Sequence, residues 1–165
     1  MVVVLDIDGT LANNDHRSHH VDCDNPNWDA FLAPDLVGKD IPFSGAIRAI
    51  KHFQALKYKL IFLTGRNEAL RDTTMRWLLE HFELDVQESE LYMRPLGNML
   101  KPSEYKREQV LAIKQDYGSD LVFIDDDKYL HAVYAEFGIA LHAPECWVTM
   151  FPDHGELETE THWRK

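Results

Sequence analysis

Asp6 and Asp8 stand one residue apart at the end of the first apolar run, Val2-Val3-Val4-Leu5, and Gly9-Thr10 follows at once. Side chains two residues apart in an extended chain leave the same face, so the two carboxylates converge, and Gly9 permits a sharp turn just beyond them. Like charges that close repel unless one protonates or a cation sits beside them. The same theme recurs in Phe123-Ile124-Asp125-Asp126-Asp127-Lys128, an apolar run that ends in three acids. Carboxylate oxygens are hard ligands that suit magnesium. Asp6, Asp8, Asp125 and Asp126 therefore read as one magnesium-binding, phosphoryl-transferring site.

Two further segments supply what such a site needs to grip an anion. Leu63-Thr64-Gly65-Arg66 ends a second apolar run with a hydroxyl, a glycine and a fixed cation. A hydroxyl beside the free backbone N–H groups of a helix start makes an anion cradle. Lys101, Lys106 and Arg107 lie early on a helix-forming stretch, and spacing alone leaves all three as candidates to neutralise a phosphate oxygen. Taken singly, each segment has a plainer account as an acidic turn, a strand-to-helix turn or solvated surface charge. Their recurrence at successive strand ends favours one shared site.

The elements that must position these residues alternate along the chain. Val2–Leu5 reads as a buried strand, and Ala46, Ile47, Ile50, Phe53 and Leu56 mark an amphipathic helix. Lys59–Thr64 is the next strand, followed by a helix that Asn67 caps and that carries Leu70, Trp77, Leu78 and Phe82. A short strand at Leu91–Met93 precedes a helix opened by Pro102 and stopped by Gly118. Leu121–Ile124, a helix over Lys128–Phe137 and Ile139–His142 complete the series. Strands alternating with helices imply a parallel sheet covered on both faces. In such sheets ligands bind beyond the carboxyl ends of the strands, where Asp6, Asp8, Thr64, Asp125 and Asp126 all fall. Residues 13–43 are polar and irregular, with a short helix expected around Trp28, Phe31 and Leu32. An insert of this length directly after the first strand reads as a small lid. Within it, His16, Arg17, His19, His20, Asp22 and Cys23 cluster without any standard zinc spacing.

Overall content bounds the rest. At 165 residues, 45% hydrophobic and 27% charged, the chain reads as one globular domain over 1–151 with a polar tail over 152–165. Two distant cysteines suggest no disulfide framework, and neither a signal peptide nor a bilayer-spanning run is visible, so no membrane and a cytoplasmic location are expected. The net charge of −11 argues against a long track of phosphate contacts along a nucleic acid, though not against gripping one terminal phosphate.

These pieces, in this order, resemble the haloacid dehalogenase (HAD) superfamily of phosphatases. Its signature is Asp-x-Asp-x-Thr at the first strand end, Thr or Ser at the second, Lys on a later helix and paired acids after the fourth strand. Here those are Asp6, Asp8 and Thr10, then Thr64, Lys106, Asp125 and Asp126, so the resemblance covers residues 2–142. It implies an α/β, Rossmann-like fold with a five-stranded parallel sheet, the first strand central and the fourth beside it. A narrower set (Leu5–Ala12, the Thr-Gly-Arg turn, Trp77, Tyr105–Glu108 and Ile124–Asp126) resembles the 3′-phosphatase domain of bacteriophage polynucleotide kinases. In that family the second acid of the pair binds magnesium, which points to Asp126. The chain departs from it in lacking a Gly-x-x-x-x-Gly-Lys-Ser/Thr loop, hence a kinase half, and in carrying Asp127 where a basic residue is common.

The resemblance implies a two-step reaction with Asp6 as nucleophile and Asp8 as general acid and base. Magnesium would be held by Asp6, the Asp8 backbone carbonyl and Asp126. Thr64 and Lys106 would hold phosphoryl oxygens, with Asp125 orienting Lys106 or a metal-bound water. Thr10, Gly65, Arg66, His16 and Arg17 are the expected substrate-binding residues. The expected substrate is a phosphorylated nucleic-acid 3′ end. A 5′(3′)-nucleotidase and a non-catalytic phosphate or nucleotide binder are the competing readings.

Overall fold

The computed structural model describes residues 1–150; the tail expected over 152–165 lies outside the described residues. Strand β1 (Val2–Leu5) leads through a tight turn into β2 (Ala12–Asn13), and three short helices follow, α1 (Asp15–Ser18), α2 (Trp28–Phe31) and α3 (Pro34–Val37). Strand β3 (Ile41–Pro42) pairs antiparallel with β2, so the segment between them leaves and returns at one place. Then come α4 (Ser44–Ala55), β4 (Lys59–Asn67), α5 (Arg71–Phe82), β5 (Leu91–Arg94), α6 (Pro102–Tyr117), β6 (Leu121–Asp125), α7 (Lys128–Tyr134), β7 (Ile139–His142) and α8 (Glu145–Met150).

The main sheet has the order β5-β4-β1-β6-β7 with every pair parallel, as the alternating pattern requires. β1 is central because it is apolar on both faces, a property only a twice-covered strand can use. Val3 and Leu5 join one core with Ala49, Ile50 and Phe53 of α4 and Trp77, Leu78 and Phe82 of α5. Val2 and Val4 join the opposite core with Val110 and Ile113 of α6 and Leu130 and Tyr134 of α7. The register sets Leu5 level with Phe62 on one side and Ile124 on the other, so the residues after all three strands emerge at one edge.

Where the elements depart from sequence expectation, local hydrogen bonds account for it. β4 runs on to Asn67 through a register shift after Leu63, the kind of bulge that sits beside active sites. The Asn67 side chain accepts from the Ala69 N–H at 3.1 Å, capping a short 3-10 turn rather than α5 itself. α7 stops at Tyr134, whose carbonyl accepts from the N–H groups of Phe137 at 2.8 Å and Gly138 at 3.0 Å. The β2–β3 ribbon, α1, α3 and α8 have no counterpart in the periodicity. α8 packs on α4 so closely that a Cβ on Gly45 would lie 2.5 Å from the Cβ of Trp147, so only glycine fits there.

Candidate active site

Asp6 extends the pairing of β1, its N–H donating to the Ile124 carbonyl at 3.0 Å, and so comes level with Asp125 at the end of β6. Lys106, one turn into α6, enters from the side. Its Nζ donates to Asp6 Oδ1 at 2.9 Å and to Asp125 Oδ2 at 2.7 Å. The Tyr134 hydroxyl donates to the same Asp125 oxygen at 2.7 Å, and the Asp127 N–H donates to the other at 2.9 Å. Thr10 does not face open space. Its hydroxyl donates to Asp126 Oδ1 at 3.1 Å while accepting from the Asp126 N–H at 3.0 Å, which locks that carboxylate in place.

The turn after β1 makes this closeness possible. The Ile7 carbonyl accepts from the N–H groups of Leu11 at 2.9 Å and Ala12 at 2.8 Å, and Gly9 adopts φ +79°. A Cβ at Gly9 would lie 2.3 Å from Asp126 Oδ2. Glycine is therefore required twice, for its backbone angle and for the space that the carboxylate fills.

Carboxylate oxygens of Asp6, Asp125 and Asp126 lie within 4.8 Å of one another, with Lys106 the cation bonded among them. Burial, reinforced by the charges of Asp125, Asp126 and Asp8, pushes the Asp6 carboxyl well above its ordinary value despite Lys106. Burial and then Asp125 push Asp126 up to about 6. Burial also works to raise Asp125, but Lys106 and the Tyr134 hydroxyl outweigh it and hold the group down. Burial alone would lower Lys106, yet Asp6 and Asp125 keep it firmly protonated. Three converging oxygen donors with uncompensated negative charge fit a hard dication such as magnesium.

Asp8 belongs to a second network. Its carboxylate turns away from the trio, accepting from Arg66 Nε and Nη2, each at 2.9 Å, and from Arg17 Nη2. Both guanidiniums are fully buried and share a second acid, Asp40. Arg17 reaches it at 2.6 and 2.7 Å and Arg66 at 2.7 Å. Arg17 also donates to the Phe31 carbonyl at 3.0 Å, Arg66 to the Thr74 hydroxyl at 3.3 Å, and Trp77 Nε1 to the Asp40 carbonyl at 2.8 Å. Burial works to raise Asp8, but Arg66 and then Arg17 outweigh it and hold the carboxyl at about 2.

The expected site residues thus fall into two groups. Asp6, Thr10, Lys106, Asp125 and Asp126 meet on the lysine side; Asp8, Arg17 and Arg66 meet on the arginine side. His16 turns to Asp40, 3.0 Å from it. Thr64 is buried and accepts from the Arg66 N–H at 3.1 Å, fixing the turn, while Gly65 stays open on the cavity wall. Asp127 caps α7 by accepting from the Tyr129 N–H at 2.9 Å, a local role for the acid that replaces the usual basic residue. Asp40 and Tyr134 went unnoticed in the sequence. Asp40 sits at no strand end of the main sheet, and Tyr134 reads as one more apolar position of a helix.

Comparison with known proteins agrees with this geometry. The family model described as the polynucleotide kinase PNKP phosphatase domain matches residues 1–142. No curated protein matches the chain. Among solved structures, a chain of a Pnkp1/Rnl/Hen1 complex superposes with a TM-score of 0.64 at 21% identity, over 86% of this chain and 44% of that one. The chain therefore spans less than half the length of that relative. A class C acid phosphatase from Bacillus anthracis gives 0.58 at 17% identity, over 87% of this chain and 66% of that one. A HAD family hydrolase from Deinococcus radiodurans, solved with phosphate and sodium, gives 0.59 at 13%, over 94% and 92%. At these identities the structural likeness speaks for the fold, and the family model for the kind of enzyme. The chain belongs to the polynucleotide kinase PNKP phosphatase-domain family, within the HAD phosphatases.

Proposed function

We propose that the chain hydrolyses phosphomonoesters in a magnesium-dependent reaction through an aspartyl-phosphate, with nucleic-acid 3′-phosphate ends as its substrate. The observation that carries this reading is the bridge from Lys106 to Asp6 and Asp125, with Asp126 beside it. It aims Asp6 at the cavity, where Lys106 and an added cation would favour the ionised form against the burial that raises its carboxyl. Held by Asp6 and Asp126, magnesium would screen the repulsion between that carboxylate and an anionic phosphate. An Asp6 carboxylate oxygen bonds to phosphorus as the ester P–O bond breaks, and the leaving alcohol takes a proton from Asp8. Asp8 then accepts a proton from the water that attacks the aspartyl-phosphate, releasing phosphate and restoring Asp6. Asp8 is ionised while the cavity holds no anion. An arriving phosphate monoanion raises its carboxyl by adding negative charge and by competing for Arg66, and gives Asp8 the proton that the leaving alcohol later takes. Lys106, Arg66 and the Gly65 N–H balance charge on the phosphoryl oxygens.

Residues 13–43, tied to the sheet by Arg17, form the lid over this cavity. No helix of the described residues is long and apolar enough to cross a membrane. One observation favours a short substrate, and with it the 5′(3′)-nucleotidase alternative. Six aspartates line the cavity against three cations, Arg66, Arg94 and Lys106. Each of those cations is already engaged, so no extended nucleic-acid footprint is expected and salt dependence should be weak. The test is kcat/KM for 3′-phosphorylated oligonucleotides of increasing length beside 3′- and 5′-mononucleotides, with magnesium and after chelation. Full activity without metal, or a trapped phosphate on a residue other than Asp6, would overturn the mechanism. A preference for 5′-mononucleotides would move the assignment to a nucleotidase.

A further inference from the structure

The cavity above the carboxylates measures about 760 Å³, within the range of small-molecule sites and more than a lone phosphate fills. Its floor is charged, but its walls are apolar. Trp28, Phe31 and Leu32 of the lid form one wall, and Leu96, Met99 and Leu100 of the connection between β5 and α6 form the other. Trp28 is 58% exposed, Leu96 68% and Met99 92%, on a molecule with a net charge of −11. Nothing in phosphoryl transfer explains such a pair of surfaces.

Trp28 is also held in place. Asn27 caps its helix, accepting from the Ala30 N–H at 3.0 Å. The ring meets Phe31 edge to face at 5.8 Å and 87°, and Phe31 in turn lies under the Arg17 guanidinium at 4.2 Å. Since Arg17 bonds Asp8, a chain of contacts runs from Asp8 to the exposed indole. The opposite wall is braced as well, by Arg94 donating to the Leu100 carbonyl at 2.8 Å and to Asn98 at 3.2 Å.

Resting on the phosphatase reading, we infer that Trp28, lining the same cavity as Leu96 and Met99, forms a stacking subsite for the base of the nucleotide that bears the phosphate. An apolar slot beside a phosphate site, with every cation at its mouth engaged, recognises a flat uncharged ring rather than a second phosphate. An aromatic face stacks on any base, so the subsite accepts all of them, purines best for their larger ring.

The test compares kcat/KM for adenosine 3′-phosphate with that for the abasic sugar 3-phosphate. The base should favour hydrolysis by about tenfold, the scale of one base stacked on an aromatic ring. Trp28→Ala should bring that ratio towards one through KM, and Trp28→Phe should keep most of it. In the Asp6→Asn protein carrying Trp163→Phe, with magnesium, adenosine 3′-phosphate should quench indole fluorescence while the abasic ester does not; Trp77 and Trp147 are buried, so the quench should vanish when Trp28→Phe is added. Equal rates with and without the base, or a preference that survives Trp28→Ala, would overturn the subsite while leaving the phosphatase reading intact. Failure to hydrolyse any of these esters would count against the phosphatase reading, and the fluorescence titration would still decide the subsite.

Discussion

The two halves of the site solve the same problem, buried aspartates, in opposite ways. On the lysine side three carboxylates gather beside the ammonium of Lys106, which bonds only Asp6 and Asp125 among them, and two of the three are pushed upward in pKa. On the arginine side Asp8 and Asp40 face two guanidiniums, and Asp8 is pulled down to about 2. The first half is short of positive charge and fits an added cation; the second is complete in itself. A planar guanidinium can bond two carboxylates at once, which an ammonium bonds only as a point charge. On the proposed reading the metal belongs to the first half and proton handling, with attachment of the lid, to the second.

The largest expected effect separates the halves by chemistry. Asp6→Asn should lower kcat by at least about 10³-fold on every phosphomonoester, as removal of a covalent nucleophile does. Asp8→Asn should cost about 10²–10⁴-fold with an alcohol leaving group and clearly less with nitrophenolate, which needs no proton. Equal losses on both esters would remove the distinction between the two carboxylates.

Stability should divide them next. Asp40→Ala leaves Arg17 and Arg66 buried with half their partners, and breaking such a network costs about 3–5 kcal/mol, readable as a shift in the urea midpoint. A loss below about 1 kcal/mol would mean that the arginine side is not self-sufficient.

The pH dependence of stability, measured in chelator, should have opposite slopes from the two halves. Asp8 ionises at about 2 in the fold against an ordinary 3.8, so its contribution is present above about pH 4 and is lost as pH falls towards 2. Asp126, raised to about 6, keeps a proton in the fold that the unfolded chain has already released. Stability therefore declines as pH rises from about 4 to 6. Magnesium should reverse that decline, raising Tm more at pH 7 than at pH 5. A magnesium effect independent of pH would place the ion elsewhere. Asp126→Asn should flatten the upper slope only.

The smallest effect tests whether Asp125 belongs with the metal trio or with Lys106 alone. Tyr134→Phe removes the hydroxyl bonded to Asp125 and should cost about 1–2 kcal/mol of stability with a modest fall in magnesium affinity. Unchanged magnesium affinity would restrict Asp125 to positioning Lys106.

Much of the lysine side was legible in the sequence because strand ends are marked locally. An apolar run, a carboxylate and a glycine identify where Asp6, Asp125 and Thr64 must lie, and Pro102 and Gly118 delimit the helix that carries Lys106. The arginine side was legible only in part. Asp40 lies 23 residues from Arg17 and 26 from Arg66, and no periodicity links residues brought together by the return of a loop. The ribbon that makes the return, Ala12–Asn13 with Ile41–Pro42, has two residues per strand, too few for an alternation to show.

By itself the sequence determined the parallel α/β framework and the edge where the acids gather, because burial periodicity and charge repulsion act between near neighbours. Tertiary structure decided which carboxylate faces which cation. It bonded the Asp8 carboxylate to Arg17 and Arg66, brought in Asp40 and Tyr134, and set Trp28 at the mouth of the cavity. Those outcomes depend on distances between elements far apart in the chain, where one buried charge settles its partner by geometry rather than by spacing.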